Sequence, residues 1–236
     1  MKKILFSLFI LAGIGAQAQM TINDPNAEAR TVESFHAIQI SSAFDVVLSQ
    51  SNTEGLAVSA NNKDAMTHIK TVVKSGTLHI WFDDGNKWWS KNPKLKAYIS
   101  VKDLDLIKAS GAADINIEGV LKVAELKLDL SGASDLEGAI TVTNELSIDL
   151  SGASDINISG SADKVTIDAN GASDVKAYEF KANTCSVEAS GASSVRITAD
   201  KEMSVKLSGA SSLSYKGNAV IKDVKTSGSS SVSKKS

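Results

Sequence analysis

The sequence predicts an all-β fold, a right-handed single-stranded β-helix with about 20 residues per coil and an irregular β segment on its N-terminal side. Three observations support this prediction. One short phrase recurs seven times at nearly constant spacing, apolar and polar residues alternate before each copy, and glycine stands at the same point of each copy. Together these features indicate strands that turn a corner and return beneath themselves.

The recurring phrase reads Ser-Gly-Ala-Ser-Asp in its clearest copies, and its glycines are 21, 20, 19, 20, 18 and 19 residues apart. These glycines are Gly111, Gly132, Gly152, Gly171, Gly191, Gly209 and Gly228. A period near 20 that persists over more than a hundred residues is typical of stacked-repeat proteins. Glycine permits positive φ at a corner, and we expect the alanine that follows to leave room on the inside of the bend.

Strands are predicted on both sides of each corner. The residues six, four and two positions before a glycine are apolar and those between are polar, which indicates a strand with one buried face. A second short strand should begin with the apolar residue four positions after each glycine. Spacing that drifts from 18 to 21 favours the right-handed helix over the left-handed type, which needs a fixed 18. Equivalent side chains should then stack, as in the set Leu128, Ile148, Ile167 and Val187.

The chain divides into a leader, an extension and one domain. Residues 1–18 have the pattern of a signal peptide, with Lys2 and Lys3, an apolar run over residues 4–14, and Ala16-Gln17-Ala18 as the cleavage site. Residues 19–34 are an N-terminal extension, and residues 35–236 are a single β-helix domain. Within that domain, residues 35–101 form irregular coils with a hairpin turning at Ser75-Gly76 and an aromatic loop, and residues 102–236 form the regular repeats. We therefore expect export to the periplasm, the cell surface or the medium, and no transmembrane segment.

Composition excludes several classes of protein. The single cysteine, Cys185, excludes a disulfide framework and falls in the inward column of a strand, so we expect a buried, inert thiol. A net charge of −2 argues against nucleic acid as a partner. The histidines His36, His68 and His79 lack metal spacing, and no nucleophile motif with a histidine partner is present. We expect no catalytic residue, no metal and no cofactor.

A cluster of aromatic residues is the candidate ligand-binding site. Five of the twelve aromatic residues lie within 18 positions, and exposed tryptophan faces stack on sugar rings. Polar residues nearby could bind hydroxyl groups. The proposed binding residues are Trp81, Asp83, Asp84, Trp88, Trp89 and Tyr98. The alternative is that these aromatic residues cap the end of the stack.

The aspartates of the recurring phrase form a second feature. Asp114, Asp135, Asp155 and Asp174 should stack about 5 Å apart, where like charges repel. Calcium along the corner is one interpretation. The other is that each carboxylate accepts hydrogen bonds from backbone amides of its own corner, as aspartate does in turns. The replacement of aspartate by Ser194 and Ser212 in later copies favours the second interpretation.

The sequence also resembles the bacterial head GIN domain family of auto-transporter adhesins, from about Phe35 to the end. The resemblance rests on the opening Phe35…Ile38…Ile40…Phe44-Asp45-Val46, on Gly76-Thr77-Leu78-His79-Ile80, and on the Ser-Gly-Ala-Ser-Asp phrases. It implies a right-handed β-helix similar to pectin lyase-like folds and a role in adhesion. The family supplies no catalytic motif.

We therefore predict a secreted, non-catalytic β-helix protein that adheres to a cell surface or binds a glycan or another partner. The alternatives are a polysaccharide-active enzyme on a β-helix scaffold and a purely structural envelope protein. An enzyme would need paired carboxylates in one groove, whereas the acidic residues here follow the repeat. Packing of β-helices could also produce a homo-oligomer.

Overall fold

The computed structural model describes residues 22–83, 85 and 93–235. Within these residues the chain forms sixteen strands and one short helix, in the order β1 to β4, α1, β5 to β16. The predicted all-β solenoid with coils of about 20 residues is confirmed. The predicted signal peptide, residues 1–18, lies outside the described residues. No helix among the described residues is long and apolar enough to span a membrane.

The elements have unequal lengths, short at both ends of the molecule and long in its middle. They are β1 (Glu28–Arg30), β2 (Ala37–Ser42), β3 (Phe44–Gln50), β4 (Gly55–Ala60), α1 (Lys63–His68), β5 (Ile69–Lys74), β6 (Thr77–Phe82), β7 (Leu95–Val101), β8 (Leu106–Gly111), β9 (Asp114–Leu130), β10 (Asp135–Leu150), β11 (Asp155–Ala169), β12 (Asp174–Ala189), β13 (Ser194–Leu207), β14 (Ser212–Lys216), β15 (Val220–Thr226) and β16 (Ser231–Lys234).

The coils stack in register through parallel pairing of β9 to β13. Leu128 pairs with Ile148, Ile148 with Ile167, and Ile167 with Val187, as the repeat predicts. These side chains are all buried, and Cys185 lies buried beside them as expected. The core is therefore a set of internal columns in which each side chain contacts its equivalents in the neighbouring coils.

The strand expected after one corner and the strand expected before the next corner join into one long strand per coil, and each corner separates two such long strands. The first part of β9 pairs with β3, whereas its last part pairs with β8, so this strand bends around the solenoid. Gly119, with φ of +78°, stands at the bend of β9. In β9 this bend at glycine keeps the hydrogen-bond ladder running onto the next face of the solenoid.

Buried serine occupies the inside of five successive corners, at Ser134, Ser154, Ser173, Ser193 and Ser211, so the expectation that the alanine after the glycine lies there is wrong. Ser154 is fully buried, whereas Ala153 is exposed. The Ser154 hydroxyl donates to the carbonyl oxygen of Ser151 at 3.1 Å, and the equivalent serines make the same bond. Positive φ at Gly152 rotates the chain so that the alanine methyl group points to solvent and the serine turns inward. The hydroxyl then satisfies a carbonyl that the turn leaves without a partner.

Different elements close the two ends of the stack. At the N-terminal end, β1 pairs antiparallel with β4, β4 with β7, and β5 with β6, and the last pair turns at Ser75-Gly76 as predicted. Both turn residues have positive φ, the geometry that suits a two-residue hairpin. The helix α1 begins at Asn62, whose side chain accepts a hydrogen bond from the Ala65 amide. At the C-terminal end, β15 and β16 each pair with one strand of the coil before them.

Candidate functional site: a polar groove along the solenoid

A groove of about 600 Å³ lies on the outer surface across the middle coils. One residue from each of five successive strands contributes to its lining. These residues are Asn116 of β9, Glu137 of β10, Asn157 of β11, Lys176 of β12 and Arg196 of β13. Tyr178 and Glu179 of β12 line it as well.

Strand register aligns the side chains of the groove. Glu137 pairs with Asn116 on one side and with Asn157 on the other, Asn157 pairs with Lys176, and Lys176 pairs with Arg196. Neighbouring strands lie about 4.7–4.9 Å apart, so five of them give the groove a length of roughly 19 Å. The groove therefore runs along the solenoid axis and is lined by one to three residues in each coil.

A bulge in β12 forms one wall of the groove. Ala177 and Lys181 of β12 face the consecutive residues Ile197 and Thr198 of β13, so three residues of β12 have no partner there. Of these three, Phe180 is buried in the core and Tyr178 and Glu179 line the groove. A bulge redirects side chains in this way.

The Tyr178 bulge is held in place by two contacts. The Thr198 hydroxyl donates to the Tyr178 carbonyl oxygen at 2.8 Å, and the Lys216 ammonium lies 4.9 Å from the centre of the Tyr178 ring. Contacts from β13 and β14 therefore fix this wall of the groove, and the Tyr178 ring is oriented before any ligand binds.

The two cations in the groove are already paired. Arg196 binds both carboxylate oxygens of Asp174 at 2.8 and 2.9 Å, and Lys176 lies 3.3 Å from Asp155 and 3.7 Å from Asp174. By contrast, Glu137 forms no ion pair with any described residue. The groove thus offers neutralised cations at its C-terminal part and a free carboxylate nearer its N-terminal part.

The predicted aspartate column exists and is longer than expected. Asp45 pairs with Asp114, and the pairing continues through Asp135, Asp155 and Asp174. Partial burial raises the pKa of Asp114, and the charges of Asp135 and Asp45 raise it further. The column is therefore a line of like charges, and only its two last members have cationic partners among the described residues.

Neither interpretation of the aspartate column holds in full. Within the described residues, no group of three or more histidine, cysteine or acidic side chains could hold a metal ion. Backbone amides of the described corners do not donate to these carboxylates either. Asp155 and Asp174 instead bind Lys176 and Arg196 of the following coils, because the repeat places a cation two residues after the aspartate position in β12 and β13.

The predicted aromatic site is only partly described. Asp84, Trp88 and Trp89 lie outside the described residues. Trp81 is half-buried on β6, where it pairs with Lys70 of β5. The side chain of Asp83 accepts a hydrogen bond from the Gly85 amide, and its carbonyl oxygen bonds the His68 ring.

Tyr98 lies on β7, which pairs with β3 and β4, whereas Trp81 lies on β6, which pairs with β2 and β5. These two predicted residues therefore belong to different strand sets. Tyr98 heads the outward column that leads into the groove, because it pairs with Val47 and Val47 pairs with Asn116.

The hydroxyl of Tyr98 has a specific partner. It donates to Oδ2 of Asp24 at 3.0 Å and so ties the N-terminal segment to the solenoid. Burial raises the pKa of Tyr98 to about 12, helped by the hydrogen bond to Asp24 and by the charges of Asp24 and Asp45. Partial burial would raise the pKa of Asp24, but hydrogen bonds from Asn26, Ser59 and Tyr98 outweigh it and lower that pKa.

The groove residues were not predicted from the sequence. They share one position, two residues after the aspartate position of the repeat (Ser194 in β13), which is polar and changes from coil to coil in Asn116, Glu137, Asn157, Lys176 and Arg196. The prediction of site residues was based on the constant residues of the repeat and on the aromatic cluster, and therefore did not include this variable position. In a repeat protein, the constant residues build the coil, and the variable outward residues are free to bind a partner.

Fold and groove together define a class, a parallel β-solenoid with a polar groove along its outer surface. The family model described as "Putative auto-transporter adhesin, head GIN domain" matches residues 34–219. The chain therefore belongs to that family, in agreement with the resemblance seen in the sequence. No curated protein matches the chain.

Solved structures show the same fold. A "putative adhesin" from Bacteroides fragilis superimposes with a TM-score of 0.82 at 21% identity, over 89% of this chain and 96% of that one. A "putative lipid binding protein" from Parabacteroides distasonis gives 0.70 at 20% identity, over 90% and 98% of the two chains. A "putative adhesin" from Parabacteroides merdae gives 0.68 at 19%, over 89% and 95%. At these identities the similarity establishes the fold alone.

Proposed function

We propose that the protein is an exported, non-catalytic β-solenoid that mediates adhesion by binding a glycan or another partner at a cell surface. The groove lined by Asn116, Glu137, Asn157, Lys176 and Arg196 carries this proposal. A long, open and polar surface suits an extended partner, because each coil adds one more contact without a change in the fold. The family description and the names of two of the structural relatives agree with adhesion.

The aromatic residues remain part of this proposal. Trp81, Asp83, Asp84, Trp88, Trp89 and Tyr98 are proposed to add a second contact surface to that of the groove. Tyr98 supports this proposal because it stands in the same outward column as Asn116, two strands away. An aromatic ring in line with polar side chains is a common arrangement for sugar recognition.

A polysaccharide-active enzyme is the second candidate, since Glu137 and Glu179 both line the groove. Hydrolysis needs one carboxyl group that stays protonated near neutral pH, and shielding from water usually achieves this. Both side chains are exposed, which favours binding over catalysis. Release of new reducing ends from any polysaccharide incubated with the protein would reverse this preference.

Adhesion can be measured with beads that carry the protein. Coated beads should attach to cultured cells or mucin layers in excess of beads coated with an unrelated β-solenoid. The double variant Asn157→Ala/Tyr178→Ala should reduce attachment, because it removes two side chains that line the groove. Attachment equal to that of the control beads on every surface would refute adhesion and leave the purely structural envelope role.

A further inference from the structure

We propose that the groove binds a linear, uncharged polysaccharide that lies parallel to the solenoid axis. This inference rests on the proposed function and names the ligand class of the same site. Shape, hydrogen-bonding capacity and charge each contribute an independent argument.

The shape of the groove selects a linear polymer. Its floor takes a single side chain from each of five coils, Asn116 to Arg196, and extends roughly 19 Å along the axis. Across the axis its lining takes no more than three residues from any one coil, as with Asn157 to Ser159 of β11. A compact ligand would fill a fraction of this space, whereas an extended chain can contact every coil.

The lining mixes hydrogen-bond donors with acceptors along the whole length. Glu137 and Glu179 only accept, Lys176 only donates, and the amide of Asn157 does both. A sugar hydroxyl donates and accepts, so it can pair with each of these groups. The carboxylate groups of an acidic polysaccharide could pair only with the donors, and the ammonium groups of a basic one only with the acceptors, so each charged group has fewer partners in this lining than a hydroxyl group.

Charge also excludes an acidic polymer. The cations Lys176 and Arg196 are bound to Asp155 and Asp174, so a ligand carboxylate would have to displace those pairs. The same ligand would lie beside the carboxylate of Glu137 and the aspartate column, where Asp114 and Asp135 have no cationic partner among the described residues. Like charges at such distances repel. An uncharged chain avoids this repulsion.

Binding can be tested with oligosaccharide series of increasing length. Neutral probes are xylan, mannan and dextran fragments, acidic probes are polygalacturonate and alginate fragments, and the cationic probe is chitosan. We expect affinity for at least one neutral series to rise with length until the fragment spans the groove. Affinity should change little between low and high salt, because an uncharged ligand has no ionic attraction to screen.

Variants locate the binding to the groove. Asn157→Ala should lower the affinity for the neutral probe roughly tenfold, which corresponds to the loss of one or two hydrogen bonds. The matched control is Asn144→Ala, because Asn144 is also exposed and lies on β10 away from the groove. Glu137→Gln keeps the shape and an acceptor, so it should preserve most of the affinity for a neutral chain. Circular dichroism melting of each variant checks that it folds.

Several outcomes would overturn the inference. They are stronger binding of an acidic or cationic probe, equal effects of Asn157→Ala and Asn144→Ala, and no binding of any neutral series. These outcomes are separable from the failure of adhesion. If beads attach equally well to surfaces whose glycans have been oxidised with periodate, adhesion stands and the polysaccharide is excluded. If the neutral series binds while beads do not attach, the ligand class stands and adhesion fails.

Discussion

A Cβ atom on Gly152 would lie 2.5 Å from the carbonyl oxygen of Gly132 in the preceding coil. The approach is tight because the Ala153 amide donates to that same oxygen at 2.8 Å. The same contact with the preceding corner glycine recurs at Gly132, Gly171, Gly191, Gly209 and Gly228. Glycine is therefore required at the corner for close stacking as well as for its positive φ.

This contact can be separated from the conformational requirement by two substitutions. Gly119 has a φ of +78°, almost equal to the +79° of Gly152, but nothing lies within 4 Å of its Cβ position. Gly119→Ala should cost about 1–2 kcal/mol of unfolding free energy, the cost of a left-handed residue. Gly152→Ala should cost about 3 kcal/mol or more, because steric overlap adds to that strain. Urea denaturation measures both, and equal losses would show that stacking at the corner is not constrained.

The buried serine column tolerates loss of the hydroxyl but not a larger side chain. Ser154→Ala should cost about 1 kcal/mol, since one hydrogen bond to Ser151 is lost. The first regular coil supplies the natural precedent, because Ala113 occupies the equivalent position and is fully buried. Ser154→Leu should cost more through overpacking, about 1–3 kcal/mol beyond the alanine variant. A leucine variant as stable as the alanine variant would mean that the corner has spare volume.

The contact between Tyr98 and Asp24 predicts a loss of stability in alkaline solution. The pKa of Tyr98 is raised to about 12 from the ordinary tyrosine value of 10.0, so the folded protein keeps a proton that the unfolded chain releases. This contribution is complete below pH 10 and disappears as pH rises through about 12. Urea midpoints between pH 9 and pH 12 should fall less steeply in Tyr98→Phe than in the unchanged protein. Tyr178→Phe is the control and should follow the unchanged protein.

The thiol of Cys185 should be unreactive in the folded protein. Burial raises its pKa to about 12, and the reactive thiolate is therefore absent at neutral pH. Ellman's reagent should give no colour with the native protein at pH 8 and one thiol per chain in guanidinium chloride. Rapid reaction of the native protein would show that the coils open at β12, where Cys185 pairs with Val165 and Met203.

The regular coils were predictable because the alternation of apolar and polar residues in each repeat shows which side chains are buried and which are exposed. The alternation around Leu128 and Ile148 fixed both the inward face and the register, and the corner glycines fixed the period. Asp45 was not assigned to the aspartate column from the sequence, because its corner departs from the repeated phrase. Its corner reads Ser-Ser-Ala-Phe-Asp, with Ser42 at positive φ in place of glycine and Phe44 buried in place of serine.

Features that depend on contacts between unlike segments were not predictable. The antiparallel pairing of β1 with β4 joins sequences without a shared pattern, and helix α1 is only six residues long. The inward turn of Ser154 depends on the rotation that Gly152 imposes, which alternation of polar and apolar residues does not reveal. The groove arises from a bulge whose extra residues are visible only against the neighbouring strands.

Each coil pairs in register with only its immediate neighbours. Duplication of a repeat in the gene can therefore lengthen the molecule. A second copy of residues 151–169, inserted after the first, would offer the neighbouring coils the same side chains and backbone groups for pairing as the original does. The product would be longer by one strand spacing, about 4.7–4.9 Å, and every other coil would keep its surroundings. The length of the solenoid and the extent of its outer surface can thus evolve without a new fold.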